Sequence, residues 1–101
     1  MFTDLITPPT ELYHGTLASV GFKVMREGMY DRTPATEDLD YAKEYGRTKP
    51  PKTDLDDAWY AVIVLDVVKA GMKRAVTGYY ESDGPVLPEG ILRVEFYRQE
   101  A

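Results

Sequence analysis

The chain contains no cysteine and only one histidine. The first lack rules out disulfides and thiolate zinc sites, and the second rules out any site built on two imidazoles. Long apolar runs are missing as well. The longest, Ala58 to Leu65, stops at Asp66, well short of the roughly 20 residues that a bilayer-crossing helix needs. Met1 to Pro9 has no cationic stretch ahead of an apolar one, so no secretion signal is expected and a cytoplasmic location is the default. Basic residues are in the minority, 12 against 17 acidic ones, for a formal charge of -5. From Arg26 to Arg98 they alternate with acids, so no continuous positive path for a nucleic-acid backbone is expected. A small nucleotide ligand stays open.

What is present is ordinary globular material: 44% apolar and 29% charged residues over 101 positions, enough for one domain spanning residues 1–101 with a modest core. Thr7-Pro8-Pro9 punctuates the start, and Leu12-Tyr13-His14 is extended. Leu17, Val20, Val24 and Met25 recur at helical spacing, with Thr16 as the expected N-cap and Gly28 as the expected C-terminal cap. Pro34-Ala35-Thr36 is a short extended piece. A second helix fits Leu39 to Tyr45, with Thr36 or Asp38 in front and Gly46 behind. Arg47 to Asp57, with Pro50-Pro51 and scattered charges, has no apolar period and is expected to be a mobile loop. Its acids, Asp54, Asp56 and Asp57, lack calcium-loop spacing and are expected to be solvated.

Trp59 to Val68 is nearly all apolar and β-branched or aromatic, the composition of a central strand. Ala70-Gly71 turns the chain. Arg74 to Tyr80 is expected to form a strand interrupted at Gly78, and Gly84-Pro85 breaks it again. In the last strand Leu92, Val94 and Phe96 alternate with Arg93, Glu95 and Tyr97, a half-buried pattern. Together these elements predict an α+β domain with two short helices in the N-terminal half and a strand-rich second half.

Four segments carry candidate chemistry. In Leu12-Tyr13-His14-Gly15-Thr16 an imidazole at a strand end can hydrogen-bond a hydroxyl, and the following glycine lets the backbone approach a flat ring. In Thr36 to Gly46, Tyr45 offers an aromatic face on which a planar cation stacks, although Tyr41 and Tyr45, four apart, are also an ordinary helix face. Tyr79-Tyr80-Glu81 and Val86-Leu87-Pro88-Glu89-Gly90-Ile91 follow in order. Trp59, Tyr79 and Tyr80 are expected in the sheet core. Arg32 has a planar fork suited to a pyrophosphate, or is a solvated loop residue.

In this order and spacing, roughly Leu12 to Arg98, the chain resembles the ADP-ribosyltransferase superfamily, which spans poly-ADP-ribose polymerases, diphtheria-type toxins and RNA 2'-phosphotransferases. The resemblance implies a compact split sheet, mixed or antiparallel, and NAD as co-substrate. It implies that His14 binds the adenosine-side ribose, that Gly15 and Thr16 belong to the nicotinamide-binding opening, and that Tyr45 stacks on nicotinamide. Ala42 stands where many relatives carry a serine that helps to hold the carboxamide. The catalytic glutamate falls best on Glu81, ten residues before Ile91, with Asp83 as the near alternative and Glu89 as the non-catalytic acid of the proline-rich turn. The implied activity is an NAD-dependent mono-ADP-ribosyltransferase acting on a macromolecular acceptor, expected to be a protein, in the manner of a toxin or phage effector. An RNA 2'-phosphotransferase and a catalytically silent acidic binding or inhibitor protein are the competing expectations.

Overall fold

A computed structural model describes residues 9–76 and 78–100. The start from Met1 through Thr7-Pro8 lies outside these described residues. The elements in chain order are β1 (Glu11–Leu17), α1 (Ala18–Glu27), β2 (Pro34–Thr36), α2 (Leu39–Arg47), α3 (Asp54–Ala58), β3 (Trp59–Asp66), β4 (Met72–Val76), β5 (Tyr79–Ser82), a 3-10 turn at Pro88–Gly90, and β6 (Ile91–Arg98). The six strands form one antiparallel sheet in the order β4-β5-β2-β1-β3-β6. The α+β expectation therefore holds, with every strand pairing antiparallel.

The centre of the sheet is β3. Its six interior residues, Tyr60 to Leu65, are buried, which is why the stretch is apolar without alternation. It pairs along its length with β1 on one side and β6 on the other. By contrast β1 and β2 share a single register pair, Tyr13↔Thr36. Strand β2 is three residues long and begins at Pro34, which has no N–H to continue the ladder beside Gly15. The sheet is thus weakly joined at its middle, between a β6-β3-β1 half and a β2-β5-β4 half.

Helices cover both faces, held close by glycines. Helix α1 lies over Ala61, Val94 and Phe96: a Cβ on Gly21 would stand 2.9 Å from the Ala61 Cβ. Beneath it is the main core, including Leu12, Val24, Ile63, Leu65 and Val86. The buried stripe of α1 is Ala18, Gly21 and Val24, and Met25, expected inside, is exposed because the close approach at Gly21 turns that side of the helix outward. Helix α2 lies on the opposite face, against β1 and β3. There a Cβ on Gly15 would fall 1.8 Å from the Ala42 carbonyl oxygen, and one on Gly46 would fall 2.9 Å from the Thr16 nitrogen.

Several boundaries differ from expectation for identifiable reasons. Leu17, not Thr16, is the N-cap residue of α1, and no cap hydrogen bond comes from its own side chain. The cap is supplied from a distance by Asp56, whose carboxylate accepts from the Ser19 N–H at 2.9 Å and the Ser19 hydroxyl at 2.9 Å. Asp56 is therefore buried rather than solvated, and the expected loop holds a third helix, α3, that exists to place it. Gly28 does cap α1, with φ 75° and its N–H on the Val24 carbonyl. Asp38 caps α2 by accepting from the Tyr41 N–H, but the helix runs through Gly46 to Arg47 because Gly46 serves packing rather than termination. The expected Arg74–Tyr80 strand is a hairpin, β4 and β5, reversed at Gly78 with φ 76°. The last strand has Leu92 40% and Phe96 36% exposed, because β6 is a sheet edge that α1 covers only in part. Trp59, expected in the core, lies at a half-buried strand end with the Arg98 guanidinium 5.5 Å from its ring centre.

Candidate functional site

Where β1 and β2 part, the sheet opens into a cleft of about 140 Å³ whose walls include His14, Gly15, Pro34, Tyr41, Tyr45 and Tyr79. Successive strand residues face opposite sides, yet His14 and Gly15 both reach it, because the imidazole bridges the parting strands. Its Nδ1–H donates to the Pro34 carbonyl at 2.6 Å. A carbonyl only accepts, so that bond fixes the tautomer and leaves Nε2 as an acceptor. Burial lowers the imidazole from 6.5 to about 4, the Pro34 hydrogen bond opposes this, and the charge of Lys49 adds to the lowering. The ring is neutral at pH 7. Among the described residues Nε2 has no partner and no buried side-chain nitrogen or oxygen lacks one, so this atom is reached from the cleft that His14 lines.

Tyr45 stands on the outer wall, 45% exposed. Its ring stacks loosely on Tyr41, with centroids 6.5 Å apart and planes at 21°, and the Lys49 ammonium sits 4.9 Å from its centroid. Tyr41 and Tyr45 are thus not a core-facing helix stripe. Both remain open and turn toward the cleft. Ala42, buried beside them, contributes a methyl group where a hydroxyl would add a polar contact.

Strand alternation supplies a further aromatic wall. In β5, Tyr80 and Ser82 point into the core, so Tyr79 and Glu81 face the other way. Tyr79 lines the cleft rather than the core, a correction to the expectation for that residue. Burial raises its phenol, and the nearby Glu81 carboxylate and the phenols of Tyr45, Tyr41 and Tyr30 raise it further. Glu81 is directly across from Pro34 in the β2–β5 register, so the carboxylate is one strand away from the residue that holds His14.

The other expected site residues are distributed as follows. Thr16 is buried with its backbone against Gly46 and does not line the cleft. Arg32 and Glu81 border a separate, wider polar hollow of about 640 Å³, which they share with Lys73, Arg74 and Asp83. Arg32 carries φ 59° there, a left-handed conformation that a side chain adopts at a cost. Asp83 is tied to Lys73 at 3.1 Å, and Glu89 is exposed in the 3-10 turn. The structure therefore brings His14, Gly15 and Tyr45 to one cleft, sets Glu81 on the adjoining strand, and leaves Arg32 and Thr16 outside. Tyr79 lines the cleft and Lys49 stands against its Tyr45 wall, although neither was expected there. The Tyr79-Tyr80 pair held a signal, since adjacent strand residues cannot both enter one core.

No protein-family model matches the chain, and no curated protein is significantly similar to it. Among the described residues no helix is long and apolar enough to cross a membrane.

Proposed function

We propose that the chain is an NAD-dependent ADP-ribosyltransferase that breaks the nicotinamide–ribose bond and transfers ADP-ribose to a macromolecule, with a protein as the first acceptor to test. The observation that carries this reading is the meeting of a tautomer-locked, neutral His14 with the Tyr45 ring and Gly15 in one ring-sized cleft. An apolar cavity of about 150 Å³ holds one benzene ring, so a cleft of about 140 Å³ suits one six-membered ring and no more. The rest of a dinucleotide must then run along the surface outside.

In this reading Tyr45 and Tyr79 flank the nicotinamide, and His14 Nε2 accepts a hydrogen bond from a ribose hydroxyl. Bond cleavage leaves positive charge on the ribose ring, which a fixed carboxylate stabilises. Glu81 is the carboxylate best placed for that role. It shares a face of β5 with Tyr79 and, among the described residues, forms no ion pair, whereas Asp83 is engaged with Lys73. Arg32 is assigned no part in holding the dinucleotide, since it borders the other hollow and, unlike Glu81, does not share a strand face with a residue of the cleft wall. Gly15 has a structural duty besides any contact with the ring, because helix α2 occupies the space a side chain would need.

The test is release of nicotinamide from NAD with and without a host lysate as acceptor, together with detection of ADP-ribose added to lysate proteins. The active chain releases nicotinamide, and Glu81→Gln lowers the rate on the order of a hundredfold or more, the usual loss when one electrostatic stabiliser is removed. Heat on mixing with NAD but no release would instead identify a binding protein on this fold. Loss of a 2'-phosphate from a model oligonucleotide would favour the phosphotransferase reading.

A further inference from the structure

We infer that Lys49 sets the charge preference of the cleft, so that a neutral six-membered heteroaromatic ring binds there in preference to a cationic one. The inference rests on the reading that a flat ring enters beside Tyr45. It concerns which ring, and through that the direction in which the site pushes the reaction.

Lys49 lies two residues beyond α2 and is held at its last turn by a hydrogen bond from its N–H to the Gly46 carbonyl. It is half-buried, and its ammonium stands 4.9 Å from the Tyr45 ring centre. On the other side of Tyr45, one turn back, is Tyr41. No carboxylate forms an ion pair with Lys49 among the described residues; the ion pairs that form lie elsewhere. Its charged neighbour is Lys52, of the same sign, and burial together with Lys52 lowers its pKa. The charge of Lys49 also acts on His14. One positive charge therefore bears on Tyr45, which flanks the ring, and on His14, which meets the ribose, and His14, being neutral, does not oppose it.

Two consequences follow from elementary electrostatics. An aromatic face already engaged by an ammonium attracts a second cation less, and two positive charges at a partly dry rim repel. A neutral ring escapes this repulsion and still gains area burial and dispersion. In NAD the pyridinium carries the positive charge while its nitrogen is bonded to ribose. As that bond breaks, its electron pair passes to the ring nitrogen, the ring becomes neutral nicotinamide, and the positive charge moves to the ribose. Repulsion from Lys49 is thus felt by the bound substrate and fades toward the transition state, which accelerates the step.

Calorimetric titration of the full chain with nicotinamide and with 1-methylnicotinamide, its cationic counterpart, tests the inference. The unaltered chain binds the neutral ring about tenfold more tightly, a value reduced from the Coulomb limit because the rim is partly open to water. Lys49→Met, which keeps the stem and removes the charge, and Lys49→Gln both shrink that ratio to about twofold. Lys49→Arg preserves it. With NAD, Lys49→Met lowers KM and kcat together, a split that a merely structural side chain does not produce. An unchanged ratio in both neutral variants, with both rings still bound, overturns the role of Lys49 and leaves the ring cleft standing. Binding of neither ring by the unaltered chain overturns the inference and the ring cleft alike.

Discussion

His14 couples the site to the stability of the whole chain. In the unfolded chain the imidazole takes up a proton near pH 6.5, whereas in the folded chain, buried and bonded to Pro34, it resists protonation down to about 4. Between these values protons bind the unfolded state preferentially, so stability falls as pH drops. From pH 7 to pH 5 the loss is about 2 kcal/mol, reaching about 3 kcal/mol near pH 4. Urea denaturation at pH 7 and pH 5 measures it directly, and His14→Gln should flatten the difference across that interval. The carboxylate of Asp56 acts in a lower window. Burial pushes it up, but hydrogen bonds from the Ser19 N–H, the Lys52 N–H, the Ser19 hydroxyl and the Thr53 N–H outweigh burial and hold it at about 2, so its contribution is lost only as pH falls from 3.8 toward 2. His14 and Tyr45 were legible in the sequence because few residue types do what they do. Tyr79 was legible only in part, since the Tyr79-Tyr80 pair signals that one ring leaves the core without saying which, and Lys49 was not, since a lysine after a helix has no distinctive local pattern. Their role comes from strand β5 and helix α2 meeting around one opening.

Helix α1 illustrates a cap that comes from elsewhere in the chain. Its first turn offers the Ser19 N–H to Asp56, 37 residues away, while the same carboxylate accepts from the backbone of Lys52 and Thr53 and from the Thr53 hydroxyl. Asp56→Ala leaves these donors without a partner in a buried place and should cost roughly 3 kcal/mol, read as a shift in the urea midpoint. Asp56→Asn, which keeps one acceptor oxygen, should cost less. The Thr53-x-x-Asp56 spacing is that of a capping box, with aspartate in the position where glutamate is usual. That signal was present in the sequence, but the prolines of Pro50-Pro51 obscured it. Helix α2 makes the converse point. Its start and its Asp38 cap followed from local spacing, but its end at Arg47 and its contact with β1 depend on Gly15 and Gly46, which the sequence suggested for ligand approach and helix ending. Gly15→Ala would drive a methyl group into the Ala42 carbonyl oxygen. The expected result is a loss of roughly 3 kcal/mol in denaturation, with a widened gap between α2 and the sheet and no ring bound in the cleft.

The molecule as a whole is a six-stranded antiparallel sheet joined at its middle by one register pair, and the cleft is the consequence of that junction. Alternation, turn residues and apolar runs were enough to expect an α+β domain. They were not enough to expect which strands would be neighbours, because the order β4-β5-β2-β1-β3-β6 depends on pairings distant in sequence. For the same reason it was invisible that Arg32 borders a second hollow, and that β5 contributes Tyr79 to the His14–Tyr45 cleft and Glu81 to that second hollow. The functional reading depends most on whether a flat ring lodges between Tyr45 and the split strands. Two-dimensional amide NMR during titration with nicotinamide examines this point most directly. Shifts that saturate at Gly15, Ala42 and Tyr45, with the β4–β5 hairpin at Lys73 and Asp83 unmoved, are the expected result. Saturating shifts confined to that hairpin, or none at all at millimolar nicotinamide, would contradict it.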